Sequence, residues 1–126
     1  MNVPENLKYT KDHEWIRQEK DVAVIGITDY AQSELSDIVF VDVSTVGETI
    51  KKEEVFGFLE AVKTVSDMMM PVTGEILELN PELEERPEIV NEDPYGEGWI
   101  IKIKPENIED FNTLLNASDY KDLINK

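Results

Sequence analysis

The stretch GFLEAVKTVSDMMMPVTGEI, residues Gly57–Ile76, places one lysine between two apolar segments. Apolar segments on either side of a short polar connection are typical of two paired β-strands. If Val55–Val62 pairs with Met68–Val72, the segment KTVSD connects them, and Lys63 lies at or beside the tip of a hairpin. The sequence therefore predicts a protruding lysine.

Lys63 is isolated in charge. It is the only basic residue between Lys52 and Arg86, an interval that carries nine acidic residues. A lysine on a turn is most often a solvated surface residue, and that interpretation stays open at this point. A protruding amine can also be acylated by another enzyme and then carry a prosthetic group on a long flexible stem. With no competing base nearby, Lys63 would be an unambiguous target.

Composition predicts one compact domain and excludes several classes of partner. The chain has 126 residues, of which 40% are hydrophobic, so it is long enough to bury a core. With 28 acidic and 12 basic residues, its net charge of -16 repels nucleic acid and anionic membranes, so neither is an expected partner. A soluble partner with a basic docking face fits this charge better.

The absence of cysteine limits the chemistry that the chain can supply. Disulfides, thiolate nucleophiles, zinc–thiolate sites and iron–sulfur ligation all require cysteine, so any redox chemistry must be borrowed. Apolar runs such as Val55–Leu59 are far shorter than the ~20 residues of a membrane helix, and residues 1–12 lack a signal-peptide pattern. The expected location is cytoplasmic.

Short segments with period-two or continuous apolar patterns predict a mainly β fold. A helix is expected after the second strand, with Thr28 or Asp29 as its N-cap. A helical tail is expected over about 106–124, with Ser118 as a second cap. The predicted strands begin at Trp15 and then cover Asp21–Thr28, Ile38–Val43, Val55–Val62, Met68–Val72, Gly74–Leu79 and Trp99–Lys104.

GFLEAVKTVSD followed by PVTGEI resembles the lipoyl-lysine hairpin of the glycine cleavage system H proteins. LKYTKDHEWI, AVIGITDYAQSELSDIVFVDV, PEIVNEDPYGEGWIIKIK and the helical tail also stand in the order and spacing of that family. The resemblance covers essentially the whole chain. It implies a single lipoyl-carrier domain over residues 1–126, with a lipoyl-domain-like barrel-sandwich hybrid fold, a short internal helix and C-terminal helices.

The same resemblance implies a non-catalytic carrier with lipoate covalently bound to Lys63. Such a carrier shuttles the aminomethyl group of glycine from glycine decarboxylase to aminomethyltransferase and is reoxidised by dihydrolipoamide dehydrogenase. A lipoate ligase or octanoyltransferase would load it, and a monomer is expected. The alternative is an H-like paralogue that relays lipoyl or octanoyl groups to other complexes.

By resemblance, Glu14 and secondarily Asp67 are expected to line a cavity that holds the ammonium of the loaded arm. Two positions depart from the family pattern. Ala61 stands where a serine is usual, and Met70 stands where a small residue is usual, within the triplet Met68–Met70. We expect alternate members of that triplet to pack in the core.

Three other interpretations compete with a lipoyl carrier. A biotin carrier is disfavoured because Val62 and Thr64 flank the lysine, where biotin acceptors resemble Met-Lys-Met. An enzyme would have to use His13 and Glu14, but neighbours on a strand point to opposite faces, so His13 is expected to be structural or at the surface, and no metal site is predicted. An interaction module without a cofactor stays open and predicts an unmodified Lys63.

Overall fold

Two antiparallel sheets form the body of the molecule. The computed structural model describes residues 1–125, and Lys126, the last residue of the predicted domain, lies outside the described residues. The strands are β1 (Lys8–Tyr9), β2 (Glu14–Glu19), β3 (Val22–Ile27), β4 (Ile38–Asp42), β5 (Thr49–Ile50), β6 (Val55–Ala61), β7 (Val65–Met69), β8 (Gly74–Leu79) and β9 (Ile101–Pro105).

The strand order is β1-β2-β3-β9-β8-β5 in a six-stranded sheet and β4-β6-β7 in a three-stranded sheet. The helices are α1 (Asp29–Leu35), α2 (Ile89–Glu92) and α3 (Ala117–Ile124), with 3-10 helices at Pro81–Leu83 and Ile108–Thr113. This arrangement confirms the predicted mainly β fold with a short internal helix and C-terminal helices. In the described part of the chain, no helix is long and apolar enough to cross a membrane.

β3 is buried on both faces, as its unbroken apolar sequence predicts. Ile25 packs in the main core between the sheets, whereas Val24 belongs to a second cluster with Trp15 and Tyr120. That second cluster forms where α3 covers the first strands. α1 begins as predicted, because the Thr28 side chain accepts a hydrogen bond from the backbone N–H of Ala31 at 3.2 Å.

The hairpin of β6 and β7 is present, but its second strand starts earlier than the sequence indicates. The connection was expected to be KTVSD, whereas β7 already begins at Val65, which pairs with Glu60. Only residues 62–64 connect the two strands. Asp67 can be a strand residue because polar side chains are tolerated on a sheet face that meets solvent, whereas Ser66 lies on the opposite face, paired with Leu59, and is half-buried.

The C-terminal tail is helical in two pieces, as the predicted second cap implies, but the break between them and the cap differ from the prediction. Leu114 is extended, and Leu115 forms an isolated β-bridge with Tyr9 through two hydrogen bonds of 2.8 and 2.9 Å. α3 is capped by Asn116, whose side chain accepts from the N–H of Asp119, and Ser118 is not the cap. Trp99, the predicted start of the last strand, lies before β9, because β9 begins at Ile101.

Candidate functional site

Lys63 is exposed on the turn between β6 and β7. The turn itself is held in place on both sides. The N–H of Ala61 donates to the carbonyl of Thr64 at 2.8 Å, and the N–H of Val62 donates to the carbonyl of Asp37 at 3.1 Å. The second bond ties the turn to the connection between α1 and β4. These hydrogen bonds fix the backbone on either side of Lys63, while the exposed Lys63 side chain and its amine can move.

The solvent-facing side of the three-stranded sheet leads up to this turn. Residues directly opposite each other in antiparallel strands share a face. One row across β4, β6 and β7 is Phe40, Glu60 and Val65, and the next row is Asp42, Phe58 and Asp67. We call these six residues the outer face.

The outer face alternates acidic and apolar side chains, and none of its six residues is basic. Phe40 is 48% and Val65 is 58% exposed, and the rings of Phe40 and Phe58 lie 6.5 Å apart. Val62, on the turn itself, is 67% exposed. Large apolar side chains that stay exposed beside an accessible lysine are typical of a surface that contacts other proteins.

Glu14 lies at the start of β2 and is only 2% exposed. Its Oε1 accepts from the Thr10 hydroxyl at 2.7 Å, and its Oε2 accepts from the backbone N–H of Met69 at 3.2 Å. Met69 is the last residue of β7, the strand that begins after the lysine turn. Glu14 therefore joins the six-stranded sheet to the hairpin that carries Lys63.

A pocket of about 160 Å³ opens beside Glu14. Met70, Pro71, Leu114 and Leu115 provide apolar walls. The other lining residues are Tyr9, Thr10, Lys11, Asp12, Lys52, Glu53 and Thr113. A pocket with apolar walls and one buried carboxyl group suits a ligand that has a hydrocarbon body and a cationic end.

Burial raises the pKa of Glu14 to about 8, against the opposing effects of the hydrogen bonds from Thr10 and Met69. Desolvation disfavours the charged form, so the carboxyl group is largely protonated at neutral pH when no cation is near. A cation in the pocket would favour the ionised form. Glu14 is therefore suited to respond to the charge of what the pocket holds.

Asp67 and Glu14 do not line the same pocket. Asp67 is exposed on the outer face opposite Phe58, two residues before the Met69 N–H that contacts Glu14. It is absent from the lining of the pocket beside Glu14. The place of Asp67 in holding an ammonium group stays a prediction.

His13 takes a structural position. Its Nδ1 lies 2.8 Å from the hydroxyl of Tyr120, which is in turn 2.7 Å from the Oγ1 of Thr28, the N-cap of α1. Burial lowers the pKa of His13, opposed by Asp12 and Glu34. His13 lines a different pocket from Glu14, so the two side chains do not converge on one site. Within residues 1–125, no group of three or more acidic and histidine side chains is placed to hold a metal ion.

The residues at which the sequence departs from the family pattern, Ala61 and the triplet Met68–Met70, are mostly buried. Ala61, Met68 and Met70 are buried, and Met69 is half-buried. The prediction that alternate methionines pack in the core is confirmed. Of the three, Met70 also contributes to the wall of the pocket beside Glu14.

Several pocket residues could not be identified from the sequence. Thr10 stands four residues before Glu14 with no motif to mark it. Lys52 and Thr113 meet across the pocket rim through a hydrogen bond between residues far apart in the chain. In the sequence, Thr10 and Lys52 are marked only by their positions shortly before Glu14 and before the predicted strand Val55–Val62. These positions do not assign a role to either residue.

Comparison with known proteins gives consistent results over the whole chain. A family model described as glycine cleavage H-protein matches residues 7–126. The chain is 62% identical over 125 residues to a glycine cleavage system H protein of Bacteroides fragilis, with 99% of each chain covered. It is 53% identical over 123 residues to that of Alkalilimnicola ehrlichii, covering 97% of this chain and 95% of the relative.

The crystal structure of a glycine cleavage system H protein from Mycobacterium marinum has the same fold. The TM-score is 0.89 at 36% identity, with 98% of this chain and 100% of that chain covered. This likeness confirms the predicted lipoyl-domain-like barrel-sandwich architecture.

Proposed function

Because this chain belongs to the glycine cleavage H-protein family, we propose that it is a single-domain lipoyl carrier whose attachment site is Lys63. Its proposed role is to take the aminomethyl group of glycine from glycine decarboxylase and deliver it to aminomethyltransferase. Dihydrolipoamide dehydrogenase would then restore the disulfide. The observation that carries the proposal is the exposure of Lys63 on a turn whose backbone is held by Ala61 and Val62.

The residues around Lys63 suit a covalently attached lipoyl group. The lysine amine is accessible to a modifying enzyme, and β7 runs from the lysine turn to the pocket beside Glu14. When bound, the lipoyl group supplies a disulfide that opens to take up the one-carbon fragment and closes again after its transfer. The chain contains no cysteine that could compete with this chemistry or form a mixed disulfide with it.

In this proposal the pocket protects and orients the loaded end of the arm. Met70, Leu114 and Leu115 exclude water from it, and Glu14 accepts a hydrogen bond from its ammonium group. A buried ion pair returns little net affinity after desolvation, so the main gain is exclusion of water and a defined orientation. Lys63 is essential in this scheme, and Glu14 tunes how long the arm stays sheltered.

The outer face is proposed to make the first contact with the enzyme that acylates Lys63, a lipoate ligase or octanoyltransferase. Its three carboxylates and exposed Phe40 and Val65 complement a surface on which basic groups alternate with apolar ones. Because this face adjoins the lysine turn, a partner seated on it would have its active site close to the amine.

The attachment site is tested by mass measurement. We expect the chain, produced together with a lipoate ligase, to gain the mass of one lipoyl group, and peptide mapping to place it on Lys63. Lys63→Arg keeps the charge and should lose the modification completely. Lys51→Arg, at an exposed lysine on the turn before β6, is the matched control and should be modified normally. A modified Lys63→Arg protein would contradict the assignment.

Glycine–bicarbonate exchange with the cognate decarboxylase separates this role from that of a lipoyl or octanoyl relay. A lipoylated chain that supports exchange acts in glycine cleavage. A lipoylated chain that fails to support exchange, but donates its acyl group to another acceptor domain, would favour the relay.

A further inference from the structure

We infer that Thr10 is a positioning residue for Glu14: its hydroxyl fixes the carboxylate toward the pocket and favours the ionised state in which Glu14 can hold an ammonium group. The value of holding an ammonium group rests on the proposed function. The contact between Thr10 and Glu14 does not, because it is a feature of the folded chain itself.

The direction of the hydrogen bond between Thr10 and Glu14 is set by the other contacts of the hydroxyl. The Oγ1 of Thr10 accepts from the backbone N–H groups of Asp12 and Glu14, both at 3.2 Å. A hydroxyl oxygen has two acceptor lone pairs, and both are used by these N–H groups. The hydroxyl proton therefore points along the 2.7 Å contact to Oε1 of Glu14.

Each carboxylate oxygen of Glu14 thus faces a fixed donor, the Thr10 hydroxyl at Oε1 and the Met69 N–H at Oε2. Donors aimed at both oxygens stabilise the ionised form and resist rotation of the group. Burial acts in the opposite direction, and its effect is the larger one, so the pKa of Glu14 lies at about 8. The hydrogen bond from Thr10 thus keeps the pKa of Glu14 below the value that burial alone would give.

Charged and titratable groups from several segments face this site. After burial and the hydrogen bonds from Thr10 and Met69, the next largest effect on Glu14 is the charge of Asp12, which raises its pKa further. Lys11 lies 3.8 Å from Glu53, so its charge is partly offset there. Lys52 donates to Thr113 on the rim. The charged groups of the pocket lining are Lys11, Asp12, Lys52 and Glu53, and the tyrosines near Glu14 are Tyr9, in the lining, and Tyr120, which stacks on Tyr9.

The backbone around Thr10 shows why the hydroxyl is well placed. The N–H of Thr10 donates to the carbonyl of Glu14 at 3.0 Å, and the N–H of His13 donates to the carbonyl of Thr10 at 3.2 Å. His13 has a positive φ of 71°, which closes residues 10–14 into a tight turn. The tight turn therefore holds the backbone of Thr10 in place beside Glu14, and the short Thr10 side chain presents its hydroxyl to the carboxyl group.

The first test follows Glu14 alone in the full chain without lipoate. Its side-chain carboxyl carbon is titrated by NMR in the parent, Thr10→Val and Thr10→Ser proteins. We expect Thr10→Val to raise the midpoint by about one pH unit, the size expected for losing one hydrogen bond to a charged acceptor. Thr10→Ser keeps the hydroxyl and should restore the parent midpoint.

If Thr10→Val does not fold, Thr10→Cys replaces it, because a thiol is a weak donor of similar size. Its midpoint should lie above that of the parent. A midpoint unchanged in the Val or Cys variant, or a Ser variant that titrates like Val, overturns the inference.

The second test uses the lipoylated, loaded protein and measures how fast the fragment is lost to water between pH 6 and 9. We expect Thr10→Val to speed the loss several-fold near pH 8, and to have no further effect in a Glu14→Gln background, because Thr10 acts through Glu14. An equal acceleration in both backgrounds overturns the inference. If Lys63 is never loaded, the proposed function fails, and the titration of the unmodified chain still decides the role of Thr10.

Discussion

Glu14 shows how a single residue can be kept at some expense to the stability of the fold. It is 2% exposed, and the two hydrogen bonds that it accepts only partly offset the loss of hydration of its charge. A hydrophobic residue in its place would avoid that penalty. Under the proposed function, a carboxyl group at this position is explained by the ammonium group that it would hold in the pocket more than by what it adds to the core.

The raised pKa of Glu14 predicts a specific pH dependence of stability. Between the unfolded value near 4.5 and the folded value of about 8, the folded chain binds more protons than the unfolded chain. Stability therefore falls as pH rises through this window, by up to about 1.4 kcal/mol per pH unit, and levels off above it. Glu14→Gln removes this dependence.

We expect the free energy of unfolding of Glu14→Gln, relative to that of the parent, to increase steadily from pH 5 to pH 8. Urea unfolding at four pH values measures it. Glu85→Gln, an exposed site with the same change in charge, is the control and should show a nearly constant difference. A constant difference for Glu14→Gln as well would mean that Glu14 titrates normally in the folded chain.

At the scale of elements, β6 owes its position to one close approach. A Cβ built on Gly57 would stand 2.3 Å from the carbonyl oxygen of Asp42, where β6 has a bulge in its pairing with β7. Only glycine allows β4 and β6 to come this near. The approach fixes the start of the strand that ends at the lysine turn.

Gly57→Ala should therefore destabilise the chain by about 1–3 kcal/mol, because backbone must move to admit the methyl group. Urea unfolding measures this loss, with Ser44→Ala on the neighbouring exposed segment as the control. The remaining folded protein should still accept lipoate, though more slowly, because the turn is less well held. A Gly57→Ala protein as stable as the parent would show that β4 and β6 can separate without cost.

The sequence predicts elements whose signals are local and misses contacts that depend on distant segments. The hairpin and Lys63 follow from two apolar runs around a single base, and α1 follows from Thr28. The sequence does not predict the early start of β7, because Ser66 and Asp67 are polar and Val65–Asp67 therefore resembles a polar connection. Leu115 was assigned to a helix because its partner, Tyr9, lies at the other end of the chain.

The same distinction applies within the candidate site. The exposure of Lys63 is predicted from its own neighbourhood in the sequence, but its role, like that of Glu14, enters through a family resemblance. Thr10 and Met69 are partners of Glu14 only because a turn and the edge of β7 meet in space. No spacing rule brings a threonine side chain and the N–H of a residue 59 positions later to one carboxyl group.

At the scale of the whole molecule, the net charge of -16 makes association sensitive to salt. Electrostatic attraction between exposed charges is largely lost once the Debye length falls from about 10 Å at 0.1 M salt to about 3 Å at 1 M. The chain repels copies of itself and attracts basic partners from a distance. The charge thus favours rapid association with a partner that has a basic docking face.

We expect the second-order rate constant for acylation of Lys63 to fall by about tenfold or more between low and high salt. Neutralising the outer face with Asp42→Asn, Glu60→Gln and Asp67→Asn should flatten this dependence. A distant triple change, at Glu82, Glu84 and Glu85, is the matched control and should flatten it less. Equal flattening by the two triple changes would assign the attraction to the total charge and remove the outer face from the proposal.

The bridge between Tyr9 and Leu115 makes the end of the chain a wall of the pocket that faces Glu14. Two backbone hydrogen bonds and the stacking of Tyr9 on Tyr120, with ring centroids 4.7 Å apart, hold that wall in place. Fraying of the tail would uncover the site without touching the hairpin. If the pocket shelters the loaded arm as proposed, the temperature at which this shelter is lost should lie below the temperature at which the two β-sheets unfold.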